Sequence, residues 1–205
     1  MLRVLLACLM LGVVVTTPAE EFKEGVHYQL LPTPLETQSG DRIEVVELFW
    51  YGCHHCFSFE PLIQKWQQTL PDDVAFRRIP AVFAENWVPH ARAFYAADAL
   101  GSLDKLHAPL FKALHEEEQK IFNEDSLIRF AADQGIDEKD FRSAYTGFAI
   151  DGKVKKAMLY TRDSGITGVP AVIVNGKYRT GAQFAGSQEQ VLKVVDFLVA
   201  KERAR

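Results

Sequence analysis

The chain has 205 residues, 48% of them hydrophobic, and a formal charge of −4, which is enough to bury a sizeable core in one or two lobes. That acidic balance leaves no basic footprint of the kind that binds nucleic acid. Past the N-terminus no apolar run approaches the roughly 20 residues of a membrane-spanning helix.

Residues 1–19 read as a secretory signal. Arg3 supplies a positive start, Leu5 to Val15 an apolar stretch, and Thr17-Pro18-Ala19 a small-residue cleavage site. Cleavage is expected after Ala19, and Cys8 leaves with the signal. Two cysteines then remain, Cys53 and Cys56, in an exported chain where oxidation is permitted. A bridge between them closes a very short loop, so it removes little entropy from the unfolded chain. Such a bridge is there to react rather than to staple.

Val26 to Leu31 reads as a first strand ended by Pro32-Thr33-Pro34. After the turn at Gly40-Asp41, Ile43 to Tyr51 is a long β-branched and aromatic strand with little alternation, as in a strand buried on both faces. Glu47 interrupts that run. Phe57 to Leu70 follows at helical spacing, with Pro61 expected to kink it near residues 57–58, and Val74 to Ile79 is a further strand. From Asn86 to Thr161 the pattern is helical throughout. Helices are expected around Phe94, from Leu103 to Leu114, around Ile128, after a cap at Asp137, and from Ile150 to Met158. Strands return at Ala171 to Val174 and Lys177 to Arg179, flanking Asn175-Gly176, a signal for a two-residue type I′ hairpin. Ser187 and Gln190 open a last helix with Val191, Val194, Val195 and Leu198 on one face. The order is β-β-α-β, then helices, then β-β-α.

Cys53-His54-His55-Cys56 sits at a strand-to-helix junction. The first sulfur lies at the first turn, where unpaired backbone N–H groups and the helix dipole favour a thiolate. Charge-assisted bonds contribute about 1.5–3 kcal/mol each and the dipole up to about 1 kcal/mol, against about 1.36 kcal/mol per pKa unit, so a large depression is available. Cys53 is the expected nucleophile and Cys56, one turn in, the buried resolving thiol. His55 can donate to the Cys53 thiolate or stand near it as positive charge. Glu47 is either an edge-strand carboxylate, in water or paired with a lysine or arginine, or a buried acid with a raised pKa. Glu60 is a weaker candidate, equally readable as an exposed helix-face residue.

The CxxC opening a helix, the proline eight residues after Cys53, and Gly165 to Pro170 followed by Val174 to Tyr178 resemble the DsbA family of exported thiol oxidants. The resemblance implies an α/β thioredoxin fold, a mixed sheet flanked by helices, over residues 20–83 and 162–205, with an inserted all-helical domain over 84–161. It implies that Val169-Pro170 is a cis-proline loop facing the cysteines. Val169 and Pro170 then border the substrate, and Glu47 exchanges protons with Cys56; His54, to which the resemblance gives no role, is placed with the substrate-binding residues. The family commonly carries Pro where His54 stands. The implied function is donation of the Cys53–Cys56 disulfide to reduced, folding proteins in the periplasm, with a DsbB-type membrane quinone reductase as reoxidant. No cofactor, metal or nucleic acid is expected, and a monomer is.

Two other readings share the motif. A disulfide isomerase or reductase uses the same chemistry, although the chain lacks room for a separate N-terminal dimerisation domain. A copper- or zinc-binding protein would use Cys53, Cys56 and His54 or His55, although tetrahedral zinc needs four converging ligands and the remaining His27, His90, His107 and His115 are scattered.

Overall fold

A computed structural model describes residues 21–205, so the expected signal lies outside the described residues. Strands β1 (Gln29–Leu30) and β2 (Ile43–Phe49) precede α1 (His54–Gln67) and β3 (Val74–Pro80). Five helices follow: α2 (Val88–Ala99), α3 (Leu103–His115), α4 (Glu124–Asp133), α5 (Glu138–Thr146) and α6 (Phe148–Asp163). The chain then closes with β4 (Ala171–Val174), β5 (Tyr178–Thr180), α7 (Ala182–Ala185) and α8 (Gln188–Arg203). The five strands form one sheet in the order β1-β5-β4-β2-β3. Only β2 and β3 run parallel, joined through α1. This is an α/β thioredoxin fold with a helical insertion between β3 and β4.

The interior position of β2, between β4 and β3, explains its composition. Val45 packs with Phe59, Ile63, Val194 and Leu198 on the α1 and α8 side. Val46 and Leu48 point the other way, against Ala157 of α6 and Ile173. A strand covered on both faces has no need for a polar alternation. The end of β2 enters a third cluster, in which Phe49, Tyr51 and Cys56 pack with Leu106, Leu110, Phe111, Leu127, Ile128 and Phe141 from the inserted helices. The insertion therefore builds its core directly onto the cysteine turn.

Local chemistry fixes the ends of these elements. Asn123 and Ser126 cap α4 reciprocally, Asp137 accepts from the Asp140 N–H, and Ser187 accepts from Gln190. Asn175 (φ 48°) and Gly176 (φ 63°) are both left-handed, as a type I′ turn requires. Gly176 is also constrained from outside, because a Cβ there would lie 2.1 Å from the Leu35 carbonyl oxygen.

The bounds of two expected elements need correction. α1 starts at His54 rather than Phe57, because Cys53 already serves as its N-cap, and it ends at Gln67. The helix continues through Pro61. β1 is only Gln29–Leu30, because a turn that includes Gly25 (φ 77°) occupies the preceding residues. The short α7 and a 3-10 turn at Glu85–Trp87 carry no periodic signal in so few residues.

Candidate redox site

Cys53 has extended backbone (φ −95°, ψ 116°), while its carbonyl accepts the N–H groups of Cys56 and Phe57, both at 3.1 Å. Its side chain is therefore held at the helix mouth. Across a sequence separation of 116 residues, the Cys53 thiol donates to the Val169 carbonyl at 3.4 Å. The Val169-Pro170 bond is cis. Both cysteines are thiols in this structure, Cys53 half-buried and Cys56 buried.

The two sulfurs are held at opposite ends of the thiol range. The Cys56 side chain, the N–H groups of Cys56 and His55, and the His55 charge together outweigh burial and bring Cys53 down to about 6. Burial pushes Cys56 well above 9.0, and the nearby Glu47 charge adds to that push.

Behind Cys56 lies a polar chain whose acids and histidine are buried. Glu47 is 1% exposed and accepts from Arg78 Nε at 3.0 Å. The same guanidinium reaches both oxygens of Glu60 through Nη2, at 3.0 and 3.3 Å. Glu60 also accepts from Gln64 at 2.7 Å, and His107 Nε2 lies 3.2 Å from its second oxygen. His107 Nδ1 is 2.8 Å from the Tyr51 hydroxyl. Burial raises Glu47 to about 7, with Arg78 opposing and the Glu60 charge assisting. Glu60 meets the same burial, but His107, Arg78 and Gln64 overcome it and hold its carboxyl below 4.5. One acid of the pair is thus poised to hold a proton near neutrality while the other stays ionised.

Comparison with known proteins is consistent with this arrangement. A DSBA-like thioredoxin domain model matches residues 44–193. The chain belongs to the DSBA-like thioredoxin family. It is 41% identical over 186 residues to the thiol:disulfide interchange protein DsbA of Pseudomonas aeruginosa, covering 91% of this chain and 88% of that one. The DsbA of Azotobacter vinelandii is 41% identical over 188 residues, covering 92% and 87%. The crystal structure of P. aeruginosa DsbA superposes with a TM-score of 0.86 at 41% identity, covering 89% of this chain and 95% of that one. The oxidoreductase DsbA from Xylella fastidiosa gives 0.82 at 34% identity, covering 87% and 96%. This DsbA-family chain is a thiol:disulfide oxidoreductase.

The structure brings Cys53, Cys56, His55, Val169 and Pro170 into one region. His55, Val169 and Pro170 line a groove of about 410 Å³ whose far wall is Ala182, Gln183, Ser187 and Gln188. Gln188 Nε2 donates to the His55 carbonyl at 2.6 Å, tying the first turn of α1 to α8. His54 is not in that groove. Its ring lies 5.7 Å from His115 and 6.1 Å from Phe57. His115 stacks on Phe57 at 5.2 Å and donates from Nε2 to the Tyr51 carbonyl at 2.7 Å. Among the described residues no group of three or more His, Cys, Asp or Glu converges as a metal site.

Sequence reasoning missed Arg78, His107 and the burial of Glu60. Arg78 had a readable signal, since it stands inside an apolar strand and is the register partner of Glu47 in the β2–β3 pair. His107 had none, because it reaches Glu60 only when α3 packs on α1. Glu44 escaped as well: it is fully buried on the opposite face of β2 and accepts from Arg77, Ser39 and the Gln38 N–H.

Proposed function

We propose that the protein oxidises reduced exported proteins in the periplasm, with Cys53 as the sulfur that forms the mixed disulfide. In the oxidised enzyme a substrate thiolate attacks Cys53 Sγ, the Cys53–Cys56 bond breaks, and Cys56 leaves as a thiolate. Its high proton affinity makes it a poor leaving group, and Glu47, protonated up to about pH 7, supplies the proton through a water. A second substrate thiolate then attacks the substrate sulfur of the mixed disulfide, and Cys53 departs as a stable thiolate. Stabilising that thiolate favours the reduced enzyme and makes the disulfide the stronger oxidant.

His55 acts on Cys53 by its charge. The Val169 carbonyl and its loop receive an extended substrate segment as a neighbouring strand would, and His54 contacts substrate from the His115 side. The exchange needs no dissociable cofactor, the protein acts as a monomer, and a DsbB-type membrane quinone reductase restores the disulfide. Residues 20–83 and 162–205 form the exchanging domain and 84–161 the insert that covers it. Among the described residues no helix is long and apolar enough to cross a membrane.

The observation that carries this reading is the placement of Cys53 at the mouth of α1, facing Val169, with its thiol depressed and that of Cys56 raised. Equilibration with glutathione tests it. A disulfide that oxidises a reduced, unfolded test protein and is easily reduced by glutathione is the expected result. A strongly reducing potential would instead assign the chain to the reductases.

A further inference from the structure

Away from the cysteines, a groove of about 530 Å³ runs along the edge strand β3, between β3, α2 and α6. That volume lies within the range of small-molecule sites. Its walls combine rings and cations: Tyr95 and Tyr160 with Arg77, Arg78, Lys153 and Lys156. Asp98 is the only acid in the lining, and Lys153 already pairs with it at 2.8 Å. Arg77 meets Glu44 beneath the floor, and Arg78 meets Glu47 and Glu60. Lys156 is exposed and has no carboxylate partner among the described residues.

The floor is also short of acceptors. Arg77 Nε and the Tyr160 hydroxyl are both buried with no partner among the described residues. Burial keeps the Tyr160 phenol protonated far above its usual range. Both atoms are donors, and the Arg77 guanidinium lies over the Tyr160 ring at 5.4 Å. In an otherwise acidic chain, this is a concave, ring-lined, donor-rich and cation-bordered surface.

We propose that the β3-edge groove is a second binding site for a small aromatic carboxylate, its ring against Tyr95 and Tyr160 and its charge towards Lys156 and Arg77. Flat π faces accept a second ring in offset or edge geometry. A carboxylate in a half-buried cationic setting forms charge-assisted bonds that a neutral amide of the same shape cannot.

Titration of the protein with 3-phenylpropionate, followed by backbone amide NMR, tests this, with 3-phenylpropanamide as the uncharged control. Shifts should cluster at Tyr95, Leu103, Lys153, Lys156 and Tyr160, and the amide should bind about tenfold or more weakly, the equivalent of one charge-assisted bond. Lys156→Glu should weaken the carboxylate by about the same factor, while Lys156→Arg retains it; both changes are at an exposed position and leave the fold intact. The proposal fails if the amide binds as well as the acid or if Lys156→Glu leaves affinity unchanged. It also fails if shifts appear only at His55, Val169 and Ala182, or if none appear at the probe's solubility limit.

Discussion

At the scale of single residues, the site separates two sulfurs of the same type by environment alone. Thiolate absorbance of the reduced protein should show Cys53 titrating near pH 6 with Cys56 silent through the neutral range. His55→Ser removes a positive neighbour, so it should raise that midpoint and make the disulfide less oxidising; an unchanged midpoint would remove the role given to His55. Glu47 carries the opposite sign. Its folded value, about 7, lies above the ordinary 4.5, so the folded state holds a proton that the unfolded chain releases. Stability from this group is full below about pH 4.5 and is lost as pH rises through 7, on the order of 3 kcal/mol in all. Denaturant unfolding of Glu47→Gln should lack that fall between pH 4.5 and 7. The same variant should slow proton-linked release of Cys56, and exchange rates unaltered across pH would count against the proton-donor role.

At the scale of elements, the β4–β5 hairpin sets where the Val169-Pro170 loop stands, since β4 begins immediately after it and pairs with β2 from Leu48 to Val45. The turn is held by a left-handed Gly176 against the Leu35 backbone. Gly176→Ala should cost about 1–3 kcal/mol in equilibrium unfolding, through positive-φ strain and the backbone collision. A loss within experimental error would mean that the turn relaxes freely. Pro61 bears on what periodicity can and cannot reveal. Its missing N–H removes one hydrogen bond from α1, while Phe59, Ile63 and Trp66 are buried against the sheet and α8, and that packing carries the helix on through it.

At the scale of the whole molecule, the inserted helices and the thioredoxin part meet through a polar contact as well as an apolar one. His107 of α3 touches Glu60 of α1 and the Tyr51 hydroxyl, inside a cage of Phe49, Phe94 and Phe111. His107→Leu removes the hydrogen-bond partner of the buried Tyr51 hydroxyl and should cost about 1–3 kcal/mol. Removing both polar groups with Tyr51→Phe/His107→Leu should cost less than the sum of the single changes, and strict additivity in a double-mutant cycle would show that the pair does not interact. The sequence by itself determined the order of the longer elements, the reactive spacing of Cys53 and Cys56, the I′ turn at Asn175-Gly176 and the caps at Asp137 and Ser187. Each of these is written in neighbouring residues, through periodicity, backbone preference or reach within one turn. Only the tertiary structure decided that Glu47, Arg78, Glu60 and His107 form one buried chain, that His54 faces His115 rather than the Val169 groove, and that cations from β3 and α6 border a common groove. Those facts depend on strand register and on which helix packs where, and burial then sets the proton affinities, because the cost of a charge depends on everything that excludes water around it.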